Sequence, residues 1–351
     1  MAHLSPPGAL RAFTSAVLRA EGVPGPDADL LADSLVTAEL WGHASHGMLR
    51  LPWYVARLRT GATRRVTRIT TIRDTGALMV LDGDHGIGQV IAQHAVSQGV
   101  ERAKVHGVSA IGVRNSGHFG TAAYFTRQAA QQGCIALLCT NASPAMAPWG
   151  GKQKSIGTNP WSIAAPAGDR VLVMDLANTA VARGKVYLAA ERGTAIPPGW
   201  AADADGGPTT DPRAAIEGLI LPMAGPKGYV MAFMFDVLAG VLTGSAFGDQ
   251  VVGPYQPGET SGAGHLLLTI DVAAMADPAE YAARVEALVD ATCNAPKASW
   301  ADEILVPGEL EDRNAERNAA GIELTAKTWA GLVELATESN VALPSTEEVP
   351  A

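Results

Sequence analysis

The chain has 351 residues, a net charge of −9 and only 17% charged residues. That acidity argues against a nucleic-acid binder, because neutralising phosphates takes a basic face. No run of about 18 apolar residues free of charge is present to span a membrane.

With 47% hydrophobic residues the chain can bury a large core, and its length suits two or three lobes or one large α/β domain. The start, MAHLSPPGAL, lacks the basic and apolar regions of a signal peptide, so a cytoplasmic location is expected. Three cysteines without CxxC spacing fit a reducing compartment and no zinc cluster; Cys134 and Cys139 are expected as core thiols.

In ALRAFTSAVLRAEG, Leu10, Phe13, Val17 and Leu18 fall on one helical face, and PDADLLADSLVTAELWG predicts a second helix with acids in its first turn. LPWYVARLRTG predicts a third, ended by Gly61. RRVTRITTIRD and GALMVLDGD alternate as strands do, and the Arg57, Arg59, Arg64, Arg65 and Arg68 cluster reads as a solvated loop and strand edge. Helix, strand, helix and strand then follow in GIGQVIAQHAVSQGVERAKVHG, VSAIGVRN, GTAAYFTRQAAQQG and CIALLCTN, which argues for an α/β layered fold. KSIGTNPWSIAAPA and RVLVMDLAN are extended, and 193–212, dense in Pro, Gly and Asp, is a long loop. GPKGYVMAFMFDVLAGVLTG reads as a buried helix entered at Pro226, HLLLTIDV as a strand and ADPAEYAARVEALVDAT as a helix. RNAERNAAG and TAKTWAGLVELATE close the chain as two short helices with a polar tail. The expected organisation is a helical segment over 1–70, an α/β core over 71–265, and a C-terminal strand and helices over 266–351 packing back on it.

Four segments carry candidate chemistry. In GHASHGMLRLPWY, Ser45 lacks the G-x-S-x-G elbow of a hydrolase, and His43 and His46 have no carboxylate at ligand spacing, so neither a nucleophile nor a metal site is expected. Taken alone, Ser45 and His46 read best as backbone-satisfying groups at a helix junction. Arg50 shifts that balance: four residues beyond His46 it shares a helical face, and a guanidinium beside an imidazole suits a carboxylate. In RNSGHFGTAAYF, His118 occupies a glycine-flanked turn between strand and helix, where it could exchange a proton near neutral pH or simply cap the helix. NASPAMAPWGGKQKSIGTNP could let backbone approach a ligand or be an ordinary connection. Lys227 of AGPKGY stands at a helix start that favours an anion, or is a solvated lysine. No G-x-G-x-x-G follows a strand; Gly83, Gly86 and Gly88 have the wrong spacing for a Rossmann fingerprint. The residues by themselves point to an α/β enzyme acting on a small carboxylic acid.

Seven segments in order, SHGMLRLPWY, NSGHFGTAAYF, GTNP, VMDLANTAVARGKV, GTAIPPGWAADADGGPTTDP, AGPKGYVMAFMFDVLAGVLTG and VPGE, make the chain resemble the malate/L-lactate dehydrogenase family of the second type. That family includes ureidoglycolate and sulfolactate dehydrogenases and piperideine-carboxylate reductases. The resemblance implies a non-Rossmann mixed-sheet α/β fold with helical N- and C-terminal segments, working as a homodimer. It implies hydride transfer between NAD or NADP, NAD put first, and a small 2-hydroxy acid or its 2-oxo acid: malate, lactate, sulfolactate or ureidoglycolate. By position it makes His118 the acid/base, with Ser45 and His46 beside it. It makes Arg50, Tyr54, Thr158 and Lys185 substrate contacts, and His46, His118, Asp175, Leu176, Ala177, Lys227 and Glu309 cofactor contacts. The alternative is an NADPH-dependent reductase of cyclic imino acids; Lys185 of the ARGK segment, where that branch tends to place an acid, favours the hydroxy acid. From other classes, a silent binder of small acids and a Ser-His hydrolase remain to be tested against these.

Overall fold

The structure, a computed structural model, describes residues 2–349. Three helices open the chain: α1 (Pro7–Ala20), α2 (Gly25–Leu40) and α3 (Leu51–Thr60), the last ended by Gly61 at φ 81°. Leu10, Phe13, Val17 and Leu18 are buried against Leu31, Leu35, Leu51 and Leu58, as the helical period predicts. Each such leucine contributes roughly 1.5–3 kcal/mol on burial. The same core takes in Ile322, Leu324, Leu332 and Leu335, so the C-terminal end closes over the N-terminal helices. A small sheet ties them: Ala2–Ser5 pairs antiparallel with Ile322–Leu324 and with Glu347–Val349.

Seven strands form the main sheet: β1 (Thr70–Asp74), β2 (Leu78–Asp82), β3 (Val108–Ser116), β4 (Cys134–Thr140), β5 (Trp161–Ala167), β6 (Arg170–Leu176) and β7 (Ala263–Asp271). Their spatial order is β1-β2-β3-β7-β4-β5-β6. Only β2 and β3 run parallel, joined by the crossover helix α4 (Gly88–His106); every other pairing is antiparallel. This is the mixed-sheet α/β fold expected, with helical segments at both ends. The late strand β7 sits mid-sheet and holds the two halves together, with Leu267 in the core beneath α4 and α5 (Ala123–Gln131). On the opposite face Phe235 and Ala239 pack on Cys139 and Leu266. Cys134 and Cys139 are buried free thiols and Cys293 is exposed.

Five expectations change. In RRVTRITTIRD only Thr70–Asp74 is strand. The 193–212 loop contains two short strands, Ala201–Ala202 and Pro208–Thr209, which pair in a three-stranded sheet with Leu219–Ile220. Beside it lies an unforeseen helix, α6 (Arg183–Arg192), whose Val186 packs with Val181, Ile196 and Ile220 in a small lobe. The helix α7 (Pro226–Asp236), continued by a wide turn over Val237–Val241, is not buried all round, because Phe233, Met234 and Leu242 are exposed. Arg57 is the exception within its basic cluster, being 3% exposed rather than solvated. Among the described residues no helix is long and apolar enough to cross a membrane.

Candidate active site

Two 3-10 turns, Ala44–His46 and Met48–Arg50, lead into α3. They are propped from below by Glu39 of α2, whose carboxyl accepts the Met48 N–H at 2.7 Å and is pushed up to about 7 by burial. Ser45 Oγ lies 2.9 Å from His46 Nδ1. Arg50 Nε donates to the Ser45 carbonyl at 2.6 Å, and its guanidinium lies over the Trp53 ring at 4.4 Å. These contacts aim the fork and leave it without a carboxylate partner among the described residues.

His118 arrives from the turn between β3 and α5. Its ring stacks on His46 at 5.8 Å between centroids, and Nδ1 lies 2.6 Å from Tyr54 Oη. The Gly120 N–H also points at Nδ1, at 3.2 Å, and Gln89 Nε2 donates to Tyr54 Oη at 3.2 Å. Nδ1 is therefore an acceptor, Tyr54 donates to it, and the imidazole proton sits on Nε2. Burial, with the Arg50 charge next in weight, holds the His118 pKa well below the usual imidazole value, so the ring is neutral. Burial likewise pushes His46 down to about 3. The close fit depends on Gly88 at the start of α4: a Cβ there would lie 2.5 Å from the His118 carbonyl oxygen and 2.6 Å from that of Gly117. The glycines of DHGIGQV thus serve helix-to-turn packing.

A second strip begins at the same turn. Asp175 Oδ2 accepts the Ala123 N–H at the start of α5, at 2.8 Å, and burial raises its pKa. Leu176 is exposed and followed by Ala177. Asn178 Nδ2 donates to the Thr158 and Asn159 carbonyls at 3.2 and 2.6 Å, which places Thr158 beside this segment. Gly228 is pressed on the Asn178 carbonyl, with room only for hydrogen at 2.7 Å, so Lys227 adjoins the strip from the first turn of α7.

A family model for malate/L-lactate dehydrogenase matches residues 6–333. The L-sulfolactate dehydrogenase of Methanothermobacter thermautotrophicus is 39% identical over 328 residues, 93% of this chain and 94% of that one. The (2R)-3-sulfolactate dehydrogenase (NADP(+)) of Chromohalobacter salexigens is 42% identical over 282 residues, 79% of this chain and 83% of that one. The solved sulfolactate dehydrogenase of Methanocaldococcus jannaschii superposes with a TM-score of 0.93 at 37% identity, covering 97% of this chain and 98% of that one. The chain belongs to the malate/L-lactate dehydrogenase family. It is an NAD(P)-dependent 2-hydroxy-acid dehydrogenase.

For this dehydrogenase the structure gathers Ser45, His46, Arg50, Tyr54 and His118 in one cluster. Asp175, Leu176, Ala177, Thr158 and Lys227 form a strip running from it. Glu309 stands further back along β6, where the Val173 N–H donates to the Pro307 carbonyl; its carboxylate accepts the Val306 N–H at 3.2 Å and Arg313 at 2.6 Å. Lys185 is exposed on α6 in the small lobe, and among the described residues no hydrogen bond or ion pair joins it to the cluster. The strip fits a nicotinamide dinucleotide: it offers an exposed apolar side chain at Leu176, a lysine at a helix N-terminus, and two buried polar atoms without partners, Thr121 Oγ1 and Asn178 Oδ1.

Four residues of this region escape sequence reasoning. Gln89 is signalled only by the glycines before it. Glu39 reads as one more helical acid. Arg57 is buried and donates to the Gln256 carbonyl at 2.6 Å and Ser261 Oγ at 3.1 Å, holding the 253–261 loop beside the cluster. His265 of β7 is 1% exposed, with Nδ1 2.7 Å from Thr140 Oγ1 and its ring edge-on to Phe119 at 4.7 Å. Its signal is a polar residue opening the apolar run HLLLTIDV.

Proposed function

We propose that the enzyme transfers hydride between NAD and a small 2-hydroxy acid of the sulfolactate or malate kind, with the proton exchanged at His118 Nε2. The observation that carries this reading is the His118 ring, its Nδ1 held by Tyr54 Oη and the Gly120 N–H, set beside a guanidinium that no acid among the described residues engages. In the proposed roles Arg50 grips the C1 carboxylate through two parallel N–H bonds, a charge-assisted contact of roughly 1.5–3 kcal/mol. His118 gives its proton to the oxo oxygen on reduction and receives it on oxidation, a contribution of about 10²–10⁴ in rate. Ser45 and His46, bonded to each other, flank the same substrate oxygen; Thr158 closes the pocket from the side of the strip. The nicotinamide, when bound, supplies or accepts the hydride. Asp175, Leu176, Ala177 and Lys227 are its proposed contacts, with Glu309 at the adenosine end. The acidic first turn of Glu309, Glu311 and Asp312 disfavours a 2′-phosphate, which supports NAD over NADP. Lys185, which no hydrogen bond or ion pair joins to the cluster among the described residues, is given no direct role in this proposal.

The working unit we propose is a homodimer, supported by the apolar surface that α7 and the lower half of β7 leave open in one chain. Val230, Phe233, Met234 and Leu242 are exposed there, and Leu268 and Ile270 follow Leu266 along one sheet face.

The test is a panel of 2-oxo acids and cyclic imines offered with NADH or NADPH, read as loss of reduced-nicotinamide absorbance. Turnover of 3-sulfopyruvate or oxaloacetate with NADH is expected. Turnover of cyclic imines with NADPH alone would replace this reading with an imine reductase.

A further inference from the structure

Arg50, at the head of α3, and Trp53, Arg57 and Thr60 within it follow one another at helical spacing, so they form one stripe on the helix. The stripe leads from the cluster to the loop over 253–261. The Arg50 guanidinium lies over the Trp53 ring at 4.4 Å, and Trp53 meets the ring of Tyr255 edge-on at 6.2 Å between centroids. Arg57 is buried and donates to the Gln256 carbonyl at 2.6 Å and to Ser261 Oγ at 3.1 Å, while Thr60 Oγ1 donates to the Pro257 carbonyl. A buried guanidinium bonded in this way fixes the loop, because release would leave the charge without partners. The base of the loop is closed by the Val252 N–H on the Ser261 carbonyl at 3.0 Å, and Pro254 and Pro257 narrow its backbone freedom. Pro254 lines the same small cavity as Tyr54 and His118, so the loop is a wall of the site.

Tyr255 stands on this wall, 47% exposed. Its ring folds back over Gly253, where a Cβ would run into the ring and lie 2.8 Å from Ser143 Oγ. Tyr255 Oη and Ser143 Oγ are 3.5 Å apart, well beyond the usual separation of about 2.7–2.8 Å for a hydroxyl pair. Neither oxygen has another partner among the described residues, so each keeps a proton to donate. From Ser143 the rim continues to Thr158: the Ala142 N–H donates to Asn159 Oδ1 at 2.9 Å, and Asn178 Nδ2 bonds the Thr158 and Asn159 carbonyls. Arg50 and the two hydroxyls therefore stand at separate stations of one rim.

We propose that Tyr255, with Ser143 beside it, is the specificity-determining residue of this dehydrogenase, donating to a second acidic group on the third carbon of the substrate, a sulfonate or a carboxylate. The inference rests on the reading of the enzyme as a dehydrogenase of sulfolactate-like or malate-like acids. Such a substrate carries two anionic groups, and Arg50 serves only the one on C1. Two neighbouring O–H donors suit the other, since a sulfonate or carboxylate offers two or more oxygens to accept them. A hydrogen bond to a charged acceptor is worth about tenfold or more in affinity, whereas a methyl group in the same place gains nothing from it. Arg57 is the positioning residue, because the loop it holds sets where Tyr255 Oη stands.

The experiment measures substrate preference, as the ratio of kcat/KM for 3-sulfopyruvate or oxaloacetate to that for pyruvate, with NADH. Where pyruvate is not turned over, its constant as a competitive inhibitor takes its place. Tyr255→Phe keeps the ring on Trp53 and removes the hydroxyl. The preference should fall about tenfold, through KM rather than kcat. An unmoved preference overturns the proposal, and so does an equal loss with pyruvate, which is what a merely structural tyrosine would give. Gly253→Ala retains the hydroxyl but pushes the ring away from Ser143; it should lower the same preference, and an unchanged preference in this variant, with the circular dichroism spectrum of wild type, also counts against the proposal. The two levels separate in the wild type. If it turns over neither 3-sulfopyruvate nor oxaloacetate, the reading of the substrate class fails, whereas turnover with a preference that Tyr255→Phe leaves unmoved removes Tyr255 alone.

Discussion

His46, His118 and His265 are neutral in the fold, each with a pKa below the usual 6.5. Below about 6.5 the unfolded chain binds protons that the folded chain refuses. Stability is thus fully present above that value and is lost as pH falls toward the folded pKa values, by up to about 1.4 kcal/mol per pH unit per histidine. Calorimetry from pH 7.5 down to 5 should show a falling Tm, and His46→Asn should make the decline shallower. Glu39 acts in the opposite sense. Its folded pKa of about 7 exceeds the usual 4.5, so between those values the folded chain holds a proton that the unfolded chain has lost, and stability falls as pH rises through the window. Glu39→Gln keeps an acceptor for the Met48 N–H and should raise Tm at pH 8 more than at pH 5. Arg50→Lys exchanges a planar fork for a point charge and should raise KM about tenfold or more, checked by steady-state kinetics with the preferred oxo acid. Arg50 and His118 are legible in the sequence because their residue types and neighbours are chemically uncommon. Glu39, Gln89 and His265 are not, since their importance lies in which distant backbone or ring they meet.

At the scale of elements, the site is built where α3, the start of α4 and the β3–α5 turn converge. Gly88 is the point of nearest approach. Gly88→Ala would drive a methyl group against the His118 carbonyl, with a loss of roughly 1–3 kcal/mol in stability and a fall in kcat larger than the change in KM. Denaturant melts and initial rates of that variant would check both. The long helices and the strands β2, β3, β4 and β7 can be read from the sequence because their apolar period runs over seven or more residues or is bounded by glycine turns. The two-residue strands Ala201–Ala202 and Pro208–Thr209 have too few residues for any period. The pairing of Ala2–Ser5 with Ile322–Leu324 depends on contact across nearly the whole chain. The helix α6 has no strong apolar stripe, because its burial against Ile196 and Ile220 is confined to one edge.

For the whole molecule, β7 is the joining piece: it leaves the C-terminal half of the chain and inserts between β3 and β4, so the sheet is complete only when both halves have folded. Composition foretells the abundant core and the scarcity of charge. It does not reveal that the exposed side of α7 is apolar, since a helix apolar on every face reads as buried whether its cover is the same chain or another. Leu242, 65% exposed in a single chain, tests the proposed dimer: Leu242→Asp should halve the mass measured by light scattering while the circular dichroism spectrum is unchanged. The proposed chemistry turns on one imidazole. The most direct measurement is the rate of NADH oxidation by wild type and His118→Ala with the best oxo acid of the panel, both proteins shown to be folded and to bind NADH. A loss of at least about 100-fold in kcat with cofactor affinity retained is expected if His118 is the acid/base; turnover within a few-fold of wild type would contradict that role.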